Sequence, residues 1–132
     1  MSPRATVPLT SDISAALAMF FHKGLGPSHT VVSRVLTRTG YGDGYTYDPD
    51  VQGPNKEQRV LQALTRAQRE PVRSRDLVAE LLSALRVDGL IGADVSSENV
   101  DRLKRALASA GWYLTEDGHL QPFGNVDLDT GG

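Results

Sequence analysis

The sequence predicts a mainly α-helical fold of about five helices closed by a C-terminal β-hairpin. Two observations carry this. Apolar residues recur at three- and four-residue spacing in five separate stretches, each bounded by capping or breaking residues. Near the end, one Asp-Gly dipeptide stands between two short strand-like runs.

Residues 1–10 carry two prolines and no apolar period, and read as a loose leader. Ser11 offers an N-cap to a first helix in which Ile13, Leu17, Phe20 and Phe21 share a face, with Gly24 as its stop. After Gly26-Pro27, Ser28 caps a second helix whose Val31, Val32, Val35 and Leu36 turn inward until Gly40. Tyr41–Pro54 shows neither period and reads as a loop, long enough to be functional or mobile.

Asn55 opens a third helix with Gln58 at N3, a capping-box pattern, and Val60, Leu61 and Leu64 form its stripe before Pro71 ends it. Ser74 starts a fourth, where Leu77, Val78, Leu81, Leu82 and Leu85 make the densest apolar face of the chain, closed by Asp88-Gly89. Ser96 or Ser97 caps a fifth, with Val100, Leu103, Ala106, Leu107 and Ala110 inward until Gly111. Trp112–Glu116 and His119–Phe123 then flank Asp117-Gly118, the dipeptide favoured in type I′ hairpins. Residues 11–124 therefore read as one helical domain: a helix pair over 11–40, the loop, and three helices plus a hairpin over 55–124. The remaining 125–132 read as a tail or linker. Helix, helix, helix, hairpin is the order of a winged-helix domain, and helical bundles with a trailing hairpin share it.

At 132 residues the chain has the size of a single domain, able to bury a core without covalent staples. It has no cysteine, which excludes disulfides, thiolate metal sites and cysteine nucleophiles and suits a reducing cytoplasm. No apolar run approaches the length of a membrane span, and the start lacks a signal-peptide core, so a cytoplasmic protein is expected.

Net charge is only −2, but it is polarised. Residues 51–75 hold Lys56, Arg59, Arg66, Arg69, Arg73 and Arg75 against Glu57 and Glu70, whereas 76–101 hold Arg86 against six acids. A basic stripe can neutralise phosphates, and a basic helix can equally pack beside an acidic one. For a winged helix on DNA, Arg102, Lys104 and Arg105 are the groove-facing candidates, yet Glu116 and Asp117 at the hairpin tip repel phosphates. The second helix is a rival reader, its polar face holding Ser28, His29, Thr30, Ser33, Arg34, Thr37 and Arg38.

No enzyme signature emerges. His22, His29 and His119 stand on separate elements without metal-ligand spacing. The stretch from Asp48 starts like a calcium loop but places Arg59 where the bidentate Glu belongs. There is no phosphate-cradling Gly-rich loop and no Gly-x-Ser-x-Gly elbow. The least expected feature is aromatic: Tyr41, Tyr45 and Tyr47 put three of the eight aromatic residues in one loop. They can anchor a partner or stack on bases, or fold inward as a lid over the junction of the two halves.

Taken in order, Gly26-Pro27-Ser28-His29, the Tyr47-Asp48-Pro49 loop, Asn55-Lys56-Glu57-Gln58-Arg59-Val60-Leu61, and Gly111-Trp112-Tyr113-Leu114 with Asp117-Gly118-His119-Leu120-Gln121-Pro122 resemble the N-terminal region of bacterial abortive-infection family proteins. The resemblance runs from about Phe20 to the end. It implies a role in anti-phage defence, with this domain sensing or regulating and a C-terminal effector domain, beyond the segment resembling Leu128-Asp129-Thr130-Gly131-Gly132, acting. No catalytic residue transfers with it.

The expectation is thus a non-enzymatic recognition or regulatory domain without cofactor or metal. Its partner is expected to be a protein or its own effector domain, with a second copy of the chain as a further candidate and no membrane. The candidate contact residues are Arg34, Arg38, Lys56, Arg59, Arg66, Arg69, Arg73, Tyr41, Tyr45 and Tyr47. The alternative is a DNA-binding winged-helix or helix-turn-helix regulator, for which weak nucleic-acid binding at most is expected.

Overall fold

In a computed structural model, which describes residues 9–122, the helices follow in the expected order: α1 (Ser11–Ala18), α2 (His29–Arg38), α3 (Lys56–Ala67), α4 (Pro71–Val87) and α5 (Glu98–Ser109). Strands β1 (Trp112–Leu114) and β2 (Leu120–Pro122) pair antiparallel, with Trp112 opposite Pro122 and Leu114 opposite Leu120. The expected tail over 125–132 and most of the leader lie outside the described residues. Leu9 and Thr10 belong to the fold: Leu9 is buried, and the Thr10 hydroxyl, not Ser11, accepts the Ile13 amide and caps α1. Among the described residues no helix is long and apolar enough to cross a membrane.

The core is one cluster that draws on all five helices, Tyr41 and β1. Helix α1 packs on α3 and α5, α2 packs on α3 and α4, and α5 packs on β1. The first helix is therefore built into the second half of the chain, and α3, α4 and α5 do not form a free-standing three-helix unit. Apolar periodicity carried most of this, since Val60, Leu64, Leu77, Val78, Leu81, Leu82, Leu85, Val100, Leu103 and Leu107 are all buried. Leu61 departs from its expected stripe and is 39 % exposed, because the inward face of α3 is filled instead by Lys56, Arg59, Val60, Ala63, Leu64 and Ala67.

Three boundaries differ from expectation for local reasons. Helix α1 gives way at Met19 to a 3-10 turn running to Gly24, in which His22 is extended and Lys23 adopts φ 55°. This brings Phe20 and Phe21 inward together, and the chain then passes so close to them that a Cβ on Gly26 would lie 2.6 Å from the Phe20 carbonyl oxygen. Pro71 does not merely end α3; it is the first residue of α4, where its missing N–H costs nothing, and Ser74 lies buried in that first turn.

The hairpin turn is the third. A type I′ turn needs positive φ at both central residues, whereas here only Gly118 has it, at 86°. The Gly118 amide donates to the Thr115 carbonyl and the Thr115 amide to the His119 carbonyl, so the loop spans Glu116, Asp117 and Gly118 and ends in a left-handed glycine. Arg86 on α4 holds that loop by donating to the Gly118 carbonyl at 2.9 Å. A side chain at Gly118 would meet the Arg86 methylenes at 2.9 Å in addition to the strained φ. Gly118→Val is therefore expected to destabilise the domain by about 1–3 kcal/mol, read by denaturant unfolding; an unchanged midpoint would remove the hairpin from the stable fold.

Candidate functional site

The site is organised by a residue that α3 turns inward. The capping box at Asn55 and Gln58 starts α3, each side chain accepting the other's backbone N–H, and this sets which residues face the core. Arg59 is one of them and is 1 % exposed. A buried guanidinium is tolerable only if its donors are all used, and here all five are. Nε and Nη2 donate to the two oxygens of Asp43 at 2.8 and 2.9 Å, Nη2 also to Ser33 Oγ at 2.8 Å, and Nη1 to Nδ1 and the carbonyl of His29 at 3.0 and 3.3 Å. One side chain thereby joins α3 to two successive turns of α2 and to the 41–54 loop.

Above this network lies Tyr45. The Arg59 guanidinium carbon is 4.1 Å from its ring centre, and the His29 ring is stacked at 4.6 Å and 5°. Because Arg59 and His29 are bonded edge to edge, both occupy the same face of the tyrosine. Tyr45 also lines an open cleft of about 520 Å³, bounded by His29, Tyr45, Tyr47, Asp48, Val51 and Pro54. Tyr47 and Val51, 74 % and 63 % exposed, stand on its rim. Asx turns at Asp43 and Asp48, each accepting the amide two residues on, stiffen the wall between them.

The three tyrosines thus have three fates. Tyr41 folds inward as the lid reading expects: it is 1 % exposed, its hydroxyl donates to Glu70 Oε1 at 2.6 Å, and the Arg66 and Arg73 guanidinium carbons lie 5.4 and 5.7 Å from its ring centre. Tyr45 is half-buried over Arg59, and Tyr47 is exposed.

The basic run divides likewise. Arg59 and Lys56 cannot serve as surface contacts, because the helical period that buries Val60 and Leu64 also buries them. Lys56 Nζ donates to the carbonyls of Gly24 and Gly26 at 3.0 and 3.2 Å, holding the turn after α1. Arg34, Arg38, Arg66, Arg69 and Arg73 remain exposed. Of these, Arg38 bonds Glu80 at 3.1 Å, joining α2 to α4, and Arg73 lies 3.9 Å from Glu70. Sequence reasoning missed Asp43 as the counter-ion of Arg59; the one trace it left was an isolated acid between Gly42 and Gly44.

The network also sets proton affinities. Arg59 only donates, so His29 Nδ1 must accept and the proton of the neutral ring sits on Nε2. Burial, then the charges of Arg59 and Lys56, hold His29 below its usual 6.5, against the pull of Asp43. Hydrogen bonds from Arg59 hold Asp43 below 3.8 despite its partial burial. Burial and the Glu70 contact push Tyr41 up to about 12.

Among the described residues no group of three or more His, Asp or Glu side chains is arranged to hold a metal ion. Comparison with known proteins yields no match to a family model, to a curated protein or to a solved structure. What the fold and site define is a helical domain carrying a clamped aromatic cleft.

Breaking the clamp has a measurable cost. Arg59→Ala leaves Asp43 without its partner and is expected to destabilise the domain by about 3 kcal/mol, the low end for breaking a buried pair since Asp43 keeps some access to water. Arg59→Lys should not restore it, because an ammonium lacks the planar fork. Hydrogen exchange of the 43–53 amides is expected to rise in both. A loss within about 0.5 kcal/mol, the range of ordinary surface changes, would refute the clamp.

Both clamp groups have folded pKa values beneath their unfolded ones, so their contribution is complete above pH 6.5. It falls as acid first protonates His29 below 6.5 and then Asp43 below 3.8. Tyr41 is shifted upward, so its contribution is full below pH 10 and is lost towards about 12. Melting temperatures across this range should trace both flanks. His29→Phe should remove the upper acid step, and its persistence in that variant would assign the step elsewhere.

Proposed function

We propose that this chain is a recognition domain that works by binding and not by catalysis, and that its contact surface is the cleft beside Tyr45. The observation that supports this is the Arg59 clamp. A buried, fully satisfied arginine holds an otherwise irregular loop in one shape around an open aromatic cleft, and pre-organising a surface in this way lowers the cost of binding. The polar groups nearby are already committed to that task. His29 Nδ1 receives the Arg59 N–H and Asp43 is locked in the ion pair, so neither is free to act as a general base.

The sequence motifs that resemble abortive-infection proteins supply the setting. In this reading the domain is a cytoplasmic sensor or regulator in anti-phage defence, and the cleft engages a protein partner or an effector domain. The split of the basic run favours this over DNA regulation, because Lys56 and Arg59 are withdrawn and Glu80 engages Arg38.

The test uses bacteria carrying the natural reading frame that contains this chain, challenged with phage, together with the pair Tyr47→Ala and Val51→Ser at exposed rim positions. Loss of protection by a variant that melts like the wild type is the expected result. Protection unchanged by both substitutions would overturn the cleft as contact surface. In a parallel gel-shift titration at about 0.15 M salt, where screening limits nonspecific attraction, submicromolar and sequence-selective duplex binding would put DNA regulation first.

A further inference from the structure

The cleft has a chemistry that narrows its guest, and the identity of that guest rests on the recognition role proposed for the domain. Its walls include Tyr45, Tyr47, Val51 and Pro54. The remaining lining is the His29 imidazole, neutral amide and hydroxyl groups and two carboxylates, and no lysine or arginine lines it. Arg59, the nearest cation, has a side chain 0 % exposed, sealed beneath Tyr45 and neutralised by Asp43. His29 Nδ1 receives an N–H of the same arginine, and burial first, then that charge, lowers its proton affinity. Asp43 is matched, so the unmatched charge of the cleft is that of Asp48. Its Oδ1 accepts the Asp50 amide and fixes the carboxylate, and among the described residues no cation pairs with it.

Two tyrosines and a carboxylate lining one recess, with the local cation hidden, form an arrangement complementary to an organic cation. The quadrupole of the ring attracts positive charge to its face, and the carboxylate completes the match. We infer that the cleft accepts the guanidinium or ammonium group of an arginine or lysine side chain presented by a partner polypeptide. A volume of about 520 Å³ exceeds one such side chain, so flanking residues of the guest have room. Tyr47 and Val51, largely exposed on the rim, lie where the neighbouring chain of a peptide would pass.

The experiment titrates the isotope-labelled 132-residue chain with three blocked tripeptides, glycine-arginine-glycine, its citrulline analogue and glycine-glutamate-glycine, following amide shifts of residues 43–55. The arginine peptide is expected to move them saturably. The citrulline peptide, which keeps the shape and loses the charge, should bind about tenfold more weakly, the joint effect of an exposed cation–π contact and an exposed ion pair. Glutamate should leave them unmoved. Asp48→Asn is expected to reduce arginine affinity about threefold, as an exposed pair allows, while Tyr47→Ala, with thermal melting as the control for folding, reduces it further.

Equal affinity for arginine and citrulline overturns the cation assignment and leaves the recognition cleft standing. Absence of any shift in 43–55 at millimolar arginine peptide also overturns the inference, whereas the recognition reading is decided separately, by phage protection in the rim variants and by the duplex titration.

Discussion

Removing a guanidinium from water is among the most expensive steps a small fold can take, and it is offset only when geometry leaves no N–H unanswered. Arg59 meets that condition with five donors distributed over Asp43, Ser33 and His29. The cost makes the arrangement specific: a shift of the 41–54 loop by one residue would leave a buried charge without its partner. Loop conformation, the orientation of Tyr45 and the accepting role of His29 Nδ1 all follow from this one side chain. The cleft exists because its wall is clamped from behind.

Helix α3 repeats the device with other long polar side chains. Lys56 takes the carbonyls that the turn after α1 leaves open, Glu57 meets His22 at 2.8 Å, and Arg66 joins Arg73 over Tyr41. Polar ends of long side chains thus do for the connections what aliphatic groups do for the core, while their methylenes still pack as apolar surface. A charge run that reads as a binding stripe is, over its first half, an internal scaffold. Within that run, the segment around the α3–α4 turn keeps its arginines in water, and there Glu70 is interleaved with them.

The hairpin depends on tertiary contacts in the same way. Its strands are too short to be stable by themselves, and they persist because Trp112 and Leu114 enter the common core while Arg86 grips the turn. Since α1 packs against both α3 and α5, the two ends of the described chain stabilise each other across the sequence. A substitution in either end is therefore felt by the whole domain.

The helices, their inward faces and most of their caps were legible in the sequence, because periodicity and capping are local: Ser28, Asn55 with Gln58, and Ser97 each act on residues within one turn. So were the loop over 41–54 and the glycine at 118, though not the turn type, which depends on how the strands and Arg86 seat the loop. The site was legible as a list of residues but not as an arrangement. Tyr41, Tyr45 and Tyr47 look alike in sequence and differ completely in burial, and Arg59 and Arg69 look alike although one is the centre of the fold and the other lies in water. The reason is physical. Whether a long charged side chain is buried depends on a partner supplied from elsewhere, here Asp43, sixteen residues away and joined only when α2, the loop and α3 meet. Local sequence determined which helices form; tertiary structure alone decided which charges the interior could hold.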